Sequence, residues 1–230
     1  MPIYIHDGTP DGILAALGRA LDEDRESAEF AFSGAWQGSL FEDAVAVKTD
    51  PAAAEALSDR AAFEISKHAA RNVLMCIFSE EKGIEGPLYR FLRLGFSLKK
   101  DISGFHTNPD VDRVNRVSSA ERGEIHRLKG LLRFRELDKG VLWAPVEPDY
   151  NVIIPVSYHF RTRLAAEKWA VHDTKRNYAV CWDGESLGCV SGSELDGLLQ
   201  RAGGAAPAFS ERELVYQQLW KTFFKNIAVQ

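Results

Sequence analysis

A chain of 230 residues, 45% hydrophobic and 27% charged, can bury a sizeable core without disulfide staples. No apolar run approaches the roughly 20 residues of a bilayer-spanning helix, and the opening Met1 to Asp7 lacks the basic start and long apolar stretch of a secretory signal, so a cytoplasmic protein with no membrane partner is expected. The net charge of −5 argues against a uniformly basic surface, but residues 1–64 hold thirteen acids against four bases while residues 113–135 hold seven bases against two acids.

Ile3 and Ile5 share one side of an extended opening segment, and Asp7-Gly8 closes it before a helix capped by Thr9 or Asp11, with Ile13, Leu14, Leu17 and Leu21 at helical spacing. Residues 22–38 read as acidic loop, with Phe30, Phe32 and Trp36 alternating as in a short strand. Ala44 to Val47 reads as a strand, and Thr49-Asp50-Pro51 is a good helix entry. The pattern is then helical from Pro51 to Ser79, and a further helix carries Leu88, Phe91, Leu92 and Leu94. Residues 99–108 read as loop before Asn108-Pro109 opens another helix, in which Val111, Val114 and Val117 step by three.

The period changes in the second half. Leu131 to Leu137 and Val141 to Val146 are extended runs joined by Asp138-Lys139-Gly140, a hairpin signal. Asn151 to Ile154 is a short apolar run, and residues 156–166 suit a short helix. Lys168 to His172 and Tyr178 to Trp182 predict a second hairpin, with Leu187 to Val190 as a further strand. Gly203-Gly204 and Pro207 mark a mobile connection, and Ser210 to Ile227 predicts a terminal helix with Ser210 and Glu213 as capping box and Leu214, Leu219, Phe223 and Ile227 as its apolar stripe. The expected fold is α+β: a mostly antiparallel sheet of C-terminal hairpins flanked by helices, after a helical N-terminal half. One compact domain over residues 1–230 is expected, with a candidate subdivision into an acidic, mainly helical 1–100 and a strand-rich 101–230. The three cysteines, Cys76, Cys181 and Cys189, form no Cys-x-x-Cys pair, which argues against a zinc ribbon or iron–sulfur cluster and for buried free thiols.

The most informative passage is Ser118 to Glu136. Ser118 and Glu121 fit a capping box and Gly130 a helix stop. Between them Arg122, His126 and Lys129 fall on one helical strip, beside Arg127, and the following extended segment puts Arg133 and Arg135 on one side, Leu132 and Phe134 on the other. Cations from a helix and a strand are therefore expected close together.

The run E-x-H-R-x-K-G-x-x-R-F-R-E (Glu124 to Glu136) resembles the signature of a bacterial family labelled "probable DNA metabolism protein", a domain of unknown function. L-Y-R-F-L-R-L-G-F (Leu88 to Phe96), E-P-D-Y (Glu147 to Tyr150), H-F-x-x-R (His159 to Arg163), W-A-V-H-D-T-K-R-N-Y-A-V (Trp169 to Val180) and L-W-K-T-F-F-K-N-I-A (Leu219 to Ala228) are similar to that family in the same order. The resemblance implies a setting: genes beside one for a radical-SAM protein assigned to DNA modification or repair, and fusion in some cases to a uracil-DNA glycosylase-like domain. It implies no catalytic residues. Members commonly continue with a basic segment resembling R-x-N-P…P-x-R-Y-W, whereas this sequence stops at Gln230, so a shortened form is expected.

Three functional expectations follow. Arg122, His126, Arg127, Lys129, Arg133 and Arg135 are candidates for contact with nucleic-acid or nucleotide phosphates, against the alternative of a solvated face paired with the chain's own carboxylates. An enzyme acting on DNA or nucleotides is the rival: His126 and Glu136 are its candidate acid–base groups, and Glu147 and Asp149 its candidate Mg²⁺ ligands. An apolar adaptor surface for a radical-SAM partner is the third. Trp169, Tyr178 and Trp182 are candidates for stacking on bases, though their alternation fits a core. No Gly-rich phosphate loop, zinc-binding histidine pattern or nucleophile elbow occurs, so no cofactor is expected.

Overall fold

Thr9 and Asp50 cap the first two helices, and each follows directly on a strand of the same small sheet. The computed structural model describes residues 1–38, 43–137, 140–203 and 209–218, with residues 198–203 described by backbone alone. The chain divides into two compact units, Met1–Gly123 and Glu124–Gln230.

In the first unit, β1 (Ile3–His6) lies between β2 (Glu29–Phe32) and β3 (Ala44–Ala46), and both pairings are parallel. Parallel neighbours need a crossover, and α1 (Pro10–Asp22) supplies it between β1 and β2. The Thr9 hydroxyl accepts the Gly12 N–H at 3.1 Å, with Pro10 in the first turn. Asp7 accepts the hydroxyls of Thr9 and Thr49, and these bonds hold its carboxyl at about 2. A Cβ on Gly12 would fall 2.1 Å from Asp7 Oδ1, so glycine is required there. Tyr4 stacks on Phe30 and packs with Leu17, Leu57, Leu88, Tyr89 and Phe91 in the core. The alternation of Phe30 and Phe32 thus marks a real strand; its parallel pairing is not visible in composition.

The helix expected from Pro51 to Ser79 is two: α2 (Pro51–Glu64) and α3 (Lys67–Phe78). Ser66 separates them, because its hydroxyl accepts the Ala69 N–H and so caps α3. Next come α4 (Glu85–Leu98), closed by Lys99 at φ 48°, and the expected loop at residues 99–108. Asn108 caps α5 (Pro109–Leu131) by accepting the N–H groups of Asp110 and Val111. The capping box expected at Ser118 does not form. With Asn108 already starting the helix, Ser118 lies mid-helix, fully buried, and its hydroxyl donates to Asn72 and to the Asn115 carbonyl.

In the second unit five strands run in the order β4-β5-β6-β7-β8. These are β4 (Arg135–Glu136), β5 (Leu142–Val146), β6 (Trp169–Asp173), β7 (Tyr178–Trp182) and β8 (Leu187–Ser191). All neighbours are antiparallel except β5 and β6, which α6 (Ile153–Arg163) connects as a crossover. The strand expected over Leu131 to Leu137 shrinks to two residues, because α5 carries helical bonding one residue past Gly130 and Leu132 N–H still bonds the Leu128 carbonyl. Asp138 and Lys139 of the expected turn lie outside the described residues; Gly140 beside them has φ +74°. The apolar run at Asn151 to Ile154 is the entry to α6 rather than a separate strand.

A helix not foreseen, α7 (Gly192–Gly203), follows β8, and Leu195 from it joins Leu137, Ala170 and Ala179 in a core cluster. The connection expected at Gly204 and Pro207 lies outside the described residues. Residues 211–218 form α8, with the Ser210 hydroxyl accepting the Glu213 N–H. Leu214 on it is half exposed, and Leu219, Phe223 and Ile227 of the expected stripe lie outside the described residues. The fold is α+β, with helices dominating the N-terminal half and a mostly antiparallel sheet in the C-terminal half. Among the described residues no helix is long and apolar enough to cross a membrane. Of the thiols, Cys76 is buried and Cys181 half-buried, and burial raises them to about 12 and about 11. Cys189 departs from the expectation: it is exposed on β8.

Candidate functional site

Along α5 the residues Val111, Val114, Val117, Ser118, Glu121 and Ile125 recur every three or four positions and are buried. The helix therefore sends its basic residues to the sides of this stripe. In the first unit most of them are engaged. Arg122 donates to Asn72 Oδ1 at 2.6 Å and to the Ser119 hydroxyl at 3.1 Å. Asn72 is fully buried, so this guanidinium ties two helices together. Arg113 lies 3.5 Å from Glu81 and donates to the Lys82 carbonyl.

The second unit begins with a carboxylate that is spent on the backbone. Glu124, buried, accepts the N–H of Asp149 at 2.8 Å and that of Tyr150 at 2.9 Å. Beyond it His126 and Arg127 are exposed and Lys129 is half-buried, and none of the three forms an ion pair among the described residues. The strand cations differ. Arg133 lies 3.7 Å from the buried carboxylate of Glu213, and the Arg135 guanidinium lies between two rings, 6.0 Å from Trp143 and 5.9 Å from Phe209. The structure thus separates the six candidates into Arg122, Arg133 and Arg135, which hold the protein's own groups, and His126, Arg127 and Lys129, which face water or its margin.

The acidic candidates do not gather. Glu136 sits in β4, where its N–H faces Glu213 at 3.4 Å and its carbonyl accepts Ser210 N–H at 3.0 Å. Glu147 and Asp149 are exposed on the loop after β5. That loop is clamped by its main chain: Arg176 donates to the carbonyls of Pro148 (3.2 Å) and Asp149 (3.0 Å), and Lys175 reaches the Asp149 carbonyl at 3.1 Å. Arg176 is itself fixed 3.0 Å from Asp173, a fully buried carboxylate, as expected of a turn-closing pair. Among the described residues no three His, Cys, Asp or Glu side chains assemble as a metal site, and no hydrogen bond joins His126 to Glu136, Glu147 or Asp149.

Trp169 and Trp182 are buried with Val171 and Val180 on one face of the sheet, where Phe134 and Phe160 meet Trp169, and the Tyr178 hydroxyl donates to Asn151. The two tryptophans are core residues, as their alternation suggested, and Tyr178 is half-buried. Among the aromatic side chains that face solvent is Tyr158 on α6, not anticipated from the sequence: it is 54% exposed, with the Arg161 guanidinium 5.3 Å from its ring centroid. Arg161 and Arg163 are both exposed. The available signal was charge: between Asn151 and Ala166 the sequence contains no acid.

Residues 82–230 match the family model described as "Domain of unknown function (DUF4130)". No curated protein matches the chain.

Proposed function

The chain belongs to the DUF4130 family, a domain of unknown function, and from that premise we propose an accessory protein of DNA repair or modification that holds nucleic-acid phosphates on the basic end of α5. The observation that carries this reading is the state of Arg127 and Lys129. Both stand on the last turns of α5 without an ion pair among the described residues, and the single acid from Glu124 to Arg135 is Glu124, already committed to two peptide N–H groups. Cations left in this condition release counterions on meeting a phosphate backbone, and that release drives sequence-independent binding.

Support for the setting is the likeness of the Glu124 to Glu136 run to DNA-metabolism proteins found beside a radical-SAM protein or fused to a uracil-DNA glycosylase-like domain. In this reading a separate protein supplies the chemistry. The enzymatic alternative gains nothing from the geometry, since His126 and the three carboxylates are not joined. Equilibrium binding to a short duplex at rising salt tests the proposal: affinity should fall linearly on a log–log plot, and absence of binding at low salt overturns it.

A further inference from the structure

The last turn of α5 presents an apolar side chain to water. Leu131, the final residue of the helix, is 77% exposed. Residues four apart on a helix lie one above the other, so Arg127 sits one turn before Leu131, and His126 one turn before Gly130. All four are exposed and adjacent on the helix surface. A Cβ added at Gly130 would meet nothing within 4 Å beyond its chain neighbours and the helix backbone, so this side of the helix is open. Neither His126 nor Arg127 forms an ion pair among the described residues, and after buried Glu124 the next acid in the chain is Glu136.

We propose that Leu131 is a wedge that enters the base stack of duplex DNA at a weakly stacked step, while His126 and Arg127 hold the flanking phosphates. The proposal rests on the phosphate-binding reading above and adds the kind of DNA site that it favours. The order of groups along the helix suits the task. The carbonyl end of a helix disfavours a phosphate, and there the chain offers hydrocarbon; the cations stand one turn back, where the backbone of the duplex would lie. Charge complementarity selects the occupant. A wholly apolar protein surface would cover two basic side chains without supplying counter-charges, whereas DNA brings phosphates to the cations and base faces to the leucine. An anionic membrane also combines charge with hydrocarbon, but a helix held on a membrane buries a whole apolar face, and here the exposed side carries one leucine. Opening a stack costs least where a base is already mispaired, so a wedge converts that difference into selectivity.

The test is fluorescence anisotropy with the full chain on two short DNA duplexes, one fully paired and one with a central mismatch beside 2-aminopurine, whose emission rises when it unstacks. The mismatched duplex should bind roughly tenfold more tightly than the paired one, with a rise in 2-aminopurine emission. Leu131→Ala should abolish the preference and the rise, leaving the affinity for paired duplex and its salt slope unchanged. Leu131→Met should restore both. Because Leu131 is exposed, these variants leave the core untouched. Equal affinity of the wild-type chain for the two duplexes, or a preference that survives Leu131→Ala, would overturn the wedge. So would Leu131-dependent binding to anionic phospholipid vesicles without mismatch preference. The phosphate reading would outlast those results if paired duplex were still bound with its salt dependence, and absence of all DNA binding would remove both.

Discussion

Glu124 and Tyr150 are joined by a hydrogen bond of 2.9 Å from the Tyr150 N–H to a buried carboxylate, and the same carboxylate takes the Asp149 N–H at 2.8 Å. One side chain of α5 therefore fixes the entry to α6. Charged acceptors of peptide N–H groups are worth about 1.5–3 kcal/mol each. Glu124→Ala should lower stability by about 3 kcal/mol, and Glu124→Gln, which keeps one acceptor oxygen, by less. Urea denaturation of the three proteins measures this, and equal midpoints would show that the clasp does not hold the loop.

From the other side the loop is held by Arg176, paired with fully buried Asp173. Removing one partner of a buried pair strands the other, at about 3–5 kcal/mol. Arg176→Ala should therefore destabilise more than Glu124→Ala. Because both act on residues 148–150, the double variant should lose less than the sum of the singles. A thermodynamic cycle in urea measures the coupling.

These contacts explain what the sequence could and could not reveal. The motifs at Glu124, at Glu147 to Tyr150 and at Asp173 to Tyr178 are separated in the chain but meet in one clasp through Glu124, Asp149, Arg176 and the Asn151–Tyr178 bond. Short apolar runs on either side of a turn located β6 and β7, and the structure buries these strands on both faces. Pattern failed at β4, where two paired residues are too few to carry a period, and at α7, whose start Gly192-Ser193 reads as a turn. Charge counting located the basic end of α5 but could not tell Arg127 from Arg135. Whether a guanidinium faces water or lies between Trp143 and Phe209 depends on residues distant in sequence.

Burial lowers the pKa of His6 in the first unit and of His172 in the second below the ordinary 6.5. The unfolded chain then takes up these protons at a higher pH than the folded one. Full stability holds above about pH 6.5 and is lost as pH falls through the window between the unfolded and folded values. Urea midpoints should decline from about pH 7.5 to about pH 5.5, and His172→Gln should flatten the decline. A midpoint that rises on acidification would reverse the sign of the argument.

Thiol reactivity should follow exposure. Cys189 is exposed, Cys181 is raised to about 11 by burial, and buried Cys76 to about 12. A thiol reagent should label one cysteine quickly in the native protein, that label should map to Cys189, and Cys76 should react only on unfolding. Rapid native labelling of Cys76 would contradict the described core.

The most direct measurement is the salt dependence of duplex binding for the wild-type chain, Arg127→Ala, Lys129→Ala and Arg135→Ala. Each open cation that meets a phosphate contributes about 0.9 to the log–log slope. Arg127→Ala and Lys129→Ala should each flatten the slope by about that amount, whereas Arg135→Ala, whose guanidinium lies between two rings, should leave it unchanged. Slopes identical for all four proteins, or no binding at low salt, would contradict the account.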